Sequence, residues 1–154
     1  MERLFKNLII RVPESLFLKN PESSDLGKRI IQTSISQIDE LGFEHFNFRK
    51  LSQSLGSPES TLYRYFENKH MLLVYLSSWY WSYIEYKITL SIANVESPEK
   101  KLHTVADVLT KYPEEREEVS HIPFSALQRI MIAESSKSFQ TKEIDRENKE
   151  GHFQ

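Results

Sequence analysis

The sequence predicts an all-α protein with a three-helix helix-turn-helix head, a long fourth helix leaving it, and a small helical lobe beyond. A short extended arm or strand precedes the head. Three observations carry that prediction. Apolar residues recur every three or four positions through most of the chain. Serine, asparagine or a Ser-Pro pair stands at the start of the first five such segments, where an N-cap belongs. Glycine and proline are scarce, with Gly 4 and Pro 6 in 154 residues, and Gly42, Gly56 and Pro113 fall between the periodic segments. The organisation read from this is an arm over 1–22, the head over 23–70, and a helical effector or dimerisation lobe over 71–154.

A chain of this length buries about 70% of its unfolded surface, so it folds without staples. It has no cysteine to form any, as fits a reducing cytoplasm. Hydrophobic content of 39% with 12% aromatics argues against disorder. The net charge of -2 gives no compositional sign of a nucleic-acid partner, but it is unevenly spread. Residues 1–90 carry 11 Lys/Arg against 10 Asp/Glu, and residues 91–154 carry 9 against 12, so a polyanion is better sought at the front. The opening "MERLFKNLIIRVPE" has a basic start, but Arg11 and Pro13 cut its apolar run short of a secretion signal.

"NLIIRVPESLFL", residues 7–18, alternates loosely and reads as an extended arm or strand broken at Pro13. "NPESSD" is a turn, with Ser23 or Ser24 as the cap of a first helix over Asp25–Leu41. Ile30, Ile31, Ile35, Ile38 and Leu41 form its inner face, and Gly42 ends it in a left-handed, Schellman-type turn with Phe43 folded back on Ile38. Asn47 caps a second helix, Phe48–Leu55, with Phe46 and Leu51 placed as a hydrophobic staple. Gly56 closes that helix. Ser57 then caps a third, with Pro58 at its first position, running to about Phe66. Asn68 caps a fourth helix reaching about Ile92. Ser97-Pro98 opens a fifth, to about Lys111. Pro113 and the acidic run Glu114–Glu118 read as a solvated loop, and a sixth helix follows from about Pro123 to Glu134. Residues 136–148 are only weakly amphipathic.

The stretch "LGSPESTLYRYFENKHMLL" carries the functional signal. Two short helices joined by the turn Gly56–Glu59 make a helix-turn-helix, whose second helix places its N-terminal residues in the DNA major groove. Leu62 and Phe66 supply the inward face. Ser60, Thr61, Arg64 and Tyr65 fall at or near the outward face, and a core has no use for hydroxyls and a guanidinium there.

From Lys28 to Leu73 the chain resembles the DNA-binding domain of tetracycline-repressor-like (TetR family) regulators. The marks are "ELGF" closing helix one, "LSQSLG" in helix two, "STLYRYF" in helix three, "NKHMLL" opening helix four, and the pattern Leu-Tyr-x-x-Phe-x-x-Lys. The resemblance implies that Asn47 meets phosphate as the helix-two cap and that Arg49 reaches a base. It puts Glu59 and Ser60 at the exposed front of the recognition helix, and makes Thr61 and Tyr63 phosphate-binding hydroxyls. Arg64 and Tyr65 would contact bases or backbone. Lys69 would be a phosphate clamp at the start of helix four. It further implies a homodimer on a palindromic double-stranded operator, acting as a repressor released by a small-molecule effector.

The sequence departs from the family at Ser52, where a small apolar residue is usual, at Ser57-Pro58, and at the acidic Glu59. Glu59 in a first turn also complements the helix dipole, with no role in DNA. The family has more helices after the sixth. A chain ending at Gln154 is expected to have a small or incomplete lobe, with apolar surface exposed on helices four to six.

The aromatic run "SSWYWSYIEYKI" has two readings. Packing along one helical stripe is the leading one. The other, which the family's effector pocket implies, makes Trp79, Tyr80 or Tyr83 line a ligand cavity. Met71–Ile92 has the length of a membrane span, but Glu85, Lys87 and the hydroxyl-bearing side chains make it too wet. The five histidines have no metal-ligand spacing, and no nucleophile elbow or phosphate loop is present, so neither enzyme nor cofactor is expected. The rival function is a helical interaction module that uses its helix-turn-helix for protein contacts without DNA.

Overall fold

The structure, a computed structural model, describes residues 10–110 and 118–134. It is all-α: α1 (Asp25–Leu41), α2 (Phe48–Leu55), α3 (Glu59–Tyr63), α4 (Lys69–Ile92), α5 (Pro98–Thr110) and α6 over 124–134. A two-residue antiparallel ladder, β1 (Glu118–Val119) with β2 (Ile122–Pro123), leads into α6, with Val119 opposite Ile122.

Cap chemistry sets the helix starts. The Ser24 hydroxyl accepts from Gly27 N at 3.0 Å, Asn47 Oδ1 from Lys50 N at 2.8 Å, and Asn68 Oδ1 from Met71 N at 2.9 Å. Each satisfies one of the donors a helix N-terminus leaves open. At α3 the cap position is Pro58, with no side-chain hydrogen bond, so Ser57 is not the cap and the proline stands one place earlier than expected. α3 is also shorter than its periodicity predicts. It ends at Tyr63, and tight turns carry the chain on through Phe66.

The Schellman ending occurs at Gly56, not Gly42. Gly56 is left-handed (φ 66, ψ 27), and Ser57 N donates back to Ser52 O at 3.1 Å. Gly42 has φ 81 but ψ 153, a conformation essentially reserved for glycine. Phe43 is nonetheless buried.

The core is continuous from head to lobe. Ile30, Ile31, Ile35 and Ile38 of α1 meet Leu51 of α2 and Leu62 of α3, and Leu72, Tyr75 and Leu76 of α4 extend this packing. Burying each such side chain contributes about 1.5–3 kcal/mol. Phe46 and Leu51, the staple pair, are both fully buried. Beyond the head, Phe124 stacks on Tyr80 at 5.6 Å between centroids and meets Tyr83 edge-on at 4.8 Å, joining α6 to α4. Asp39 of α1 accepts both ends of the Arg129 guanidinium fork, at 3.1 and 2.9 Å, so the lobe is also tied to the head by a polar pair.

The described part of the arm, from residue 10 on, contains no strand. Residues 10–13 are irregular, and Glu14–Leu16 and Pro21–Ser23 form single 3-10 turns. Ile10 is buried and Phe17 partly so against α4, giving the arm an apolar anchor without ladder bonds. The second turn lies so close to α1 that a Cβ on Gly27 would fall 2.1 Å from the Pro21 carbonyl oxygen, so glycine is required there. The solvated-loop reading of 114–118 falls mostly outside the described residues, as does that of 136–148.

α5 buries none of its side chains, and Leu102 and Leu109 on it are exposed, as are Trp81 and Leu90 on α4. No described helix is long and apolar enough to cross a membrane.

Candidate nucleic-acid interface

α2 and α3 meet through rings and aliphatic side chains. Leu51, Leu55 and Leu62 lock the pair from inside, and the Tyr63 ring rests on Phe48 with centroids 5.0 Å apart. Tyr63 is 48% exposed, so this contact holds the ring while leaving its edge in solvent. Asn47 and Arg49, on either side of the buried Phe48 in sequence, are both exposed.

Glu59 and Ser60 at the start of α3 and Arg64 just past its end are exposed, and Thr61 is half-buried. Asn47 uses its carbonyl oxygen as the cap, which keeps its amide N–H groups available outward. Lys50, beside this face, donates its ammonium to His45 O at 2.7 Å. The polar residue that departs from the family pattern is accommodated locally: buried Ser52 donates to Arg49 O at 2.8 Å.

Two expected contact residues are placed otherwise. Tyr65 is only 2% exposed, and its hydroxyl lies 2.8 Å from the Ser24 hydroxyl at the cap of α1. It faces the interior beside Leu62 and Phe66 because the turns after Tyr63 rotate its side chain off the outward face. Lys69 has all three ammonium donors directed at backbone carbonyls: Phe43 O and Phe46 O at 2.9 Å, and Glu44 O at 3.4 Å. The same ammonium lies 4.6 Å from the Phe43 ring centroid. An ammonium has no fourth donor for a phosphate. In this structure Lys69 therefore ties α4 to the loop between α1 and α2 and does not present a clamp.

The aromatic run settles into packing. Trp79 and Tyr83 stack at 5.5 Å, and Trp79, Tyr80 and Tyr83 are 3%, 6% and 1% exposed. The Tyr80 and Tyr83 rings pack with Phe124, as the leading reading of this run expects.

Lys19 was not anticipated at this surface. Leu18 N donates to Tyr65 O at 2.8 Å, and the Lys19 ammonium lies 5.1 Å from the Tyr65 ring centroid, in the turns that follow α3. No local signal marks it, because its neighbour is 46 residues along the chain. Among the described residues, no group of three or more His, Asp or Glu side chains comes together that could hold a metal ion. Compared with known proteins, the chain matches no family model, no curated protein and no solved structure.

Proposed function

We propose that the protein is a sequence-specific double-stranded DNA-binding regulator of the tetracycline-repressor-like kind, with α3 as its recognition helix. The observation that carries this is the outward face of α3: Glu59, Ser60 and Tyr63 on this short helix, and Arg64 just past its end, are all exposed, while the opposite side is locked into the core by Leu62. Asn47 and Arg49, exposed at the start of the adjoining α2, enlarge that face. A guanidinium can read a guanine edge bidentately, while hydroxyls and an amide bond phosphate oxygens. A homodimer would present two such heads to a palindrome about 34 Å apart. A small-molecule effector would act by binding one head spacing better than the other.

The test is selection of bound fragments from random duplex DNA by the purified protein, followed by affinity measurement across salt. The proposal expects a recovered palindrome and an affinity that falls steeply with salt. Recovery of no motif, with binding flat across salt, would leave the protein-interaction reading in its place.

A further inference from the structure

A cavity of about 480 Å³ lies between the arm and α4. That volume is in the range that holds small organic ligands. Residues 10–13 form one wall, and Arg11, Glu14, Phe17, Asn20, Glu22 and Tyr75 supply its distinctive chemistry. Among the described lining residues two carboxylates, Glu14 and Glu22, accompany one guanidinium, Arg11. Phe17 and Tyr75 meet edge-to-face, with centroids 6.1 Å apart, and give it an aromatic side. The Glu22 Oε1 atom is shut off from solvent and lies 2.9 Å from His121 Nε2, in the turn of the β-ladder, but neither atom has a hydrogen-bond partner. Asn20 Oδ1 is engaged by Glu22 N at 2.9 Å, which fixes the Asn20 side chain.

We propose that this cavity is a binding site for a small organic ammonium compound with an apolar or aromatic body. Carboxylates accept from an ammonium, aromatic faces attract the same charge, and the apolar wall takes the remainder of the ligand. A bare inorganic cation would leave most of the volume unfilled. An anion would meet the Glu14 and Glu22 carboxylates.

The walls connect to the recognition segment. The arm's Leu18 is bonded to Tyr65 O, and the turn carrying Glu22 runs into Ser24, whose hydroxyl touches that of Tyr65. Any effect of the ligand on DNA rests on the DNA-binding reading above, whereas occupancy of the cavity does not.

The experiment is calorimetric titration of the full chain, without DNA, using 2-phenylethylammonium as the probe and 2-phenylethanol as its neutral counterpart. The ammonium should bind and the alcohol should bind at least about tenfold more weakly. Glu22→Gln should weaken the ammonium by about tenfold or more while leaving far-UV circular dichroism unchanged. Phe17→Leu should weaken both compounds, and the exposed, distant Glu85→Gln should change neither. Amide shifts on binding should map to residues 10–22 and the Tyr75 turn of α4. Equal affinity for the two compounds, unchanged binding in Glu22→Gln, shifts confined elsewhere, or no binding of the ammonium would each overturn the proposal. If Glu22→Gln fails to fold, the alcohol comparison and the shift map decide it.

Discussion

The Lys69 ammonium donates to the Phe43 carbonyl oxygen at 2.9 Å, and to Phe46 O at the same distance. One side chain from the first turn of α4 thus satisfies carbonyls in the loop that sets the angle between α1 and α2. The head is held to the long helix by a charge placed among backbone dipoles, with Phe43 beneath it.

Replacing Lys69 by Met keeps most of the aliphatic stem and removes the charge. The carbonyls left behind lose charge-assisted bonds, so the variant should be less stable by about 2–3 kcal/mol. In a thermal melt that is a fall of about 5–10 °C for a chain of this size. Lys69→Arg should recover only part of the loss, because a planar fork cannot direct donors at these carbonyls as an ammonium does. A melting temperature unchanged in Lys69→Met would mean the three contacts carry no weight.

The Ser24 hydroxyl has two tasks, capping α1 through Gly27 N and meeting the Tyr65 hydroxyl at 2.8 Å. Ser24→Ala should cost about 1–2 kcal/mol, and Tyr65→Phe about 1 kcal/mol. Because one oxygen serves both, the losses should not add, and a double-mutant cycle by urea unfolding should give a coupling of about 0.5 kcal/mol or more. Strict additivity would show that the two hydroxyls do not act together.

These two residues also mark where the sequence stops being readable. The α1 and α4 boundaries, the caps Asn47 and Asn68 and the Phe46–Leu51 staple were legible, because each depends on residues three to five apart. The inward turn of Tyr65 was not, since its partner Ser24 lies 41 residues away. The Lys69 carbonyls are 23 to 26 residues distant, and their geometry depends on how α4 docks. The packing reading of Trp79 and Tyr83 was available from helical spacing, but the ring that closes over Tyr83, Phe124, comes from α6. The described arm residues form 3-10 turns in place of the expected strand, and the ladder near them, β1 with β2, is two-stranded.

Burial raises the Tyr75 phenol well above its ordinary value, and the Glu22 carboxylate adds to the shift. Burial raises Tyr80 as well, opposed by its hydrogen bond with Gln128. In the unfolded chain both ionise near pH 10, and in the fold both hold their protons longer, so above that pH the folded state binds more protons. Their contribution is intact below about pH 10 and is lost as pH rises toward the folded values. Urea midpoints should therefore fall between about pH 9.5 and 11.5. Tyr75→Phe, which has no phenol to ionise, should show a shallower fall. Identical slopes for the two proteins would rule Tyr75 out as a cause.

Arg49 and Arg64 stand exposed on the face assigned to DNA, while Tyr65 and Lys69 are engaged within the fold. This separates two kinds of variant. Arg49→Ala or Arg64→Ala should leave the melting temperature within about 1 °C, since exposed positions contribute little to stability. If the residue meets a phosphate, the slope of log affinity against log salt should become shallower by about 1, equally on every sequence. If it reads a base, the slope should hold while discrimination at one operator position drops by about 1–3 kcal/mol. Tyr65→Phe should show neither signature, only the stability loss argued above. Fluorescence anisotropy on the selected operator and a scrambled duplex, from about 50 to 200 mM salt, separates these outcomes. Arginine variants with unaltered slope and unaltered discrimination would remove this face from the DNA contact.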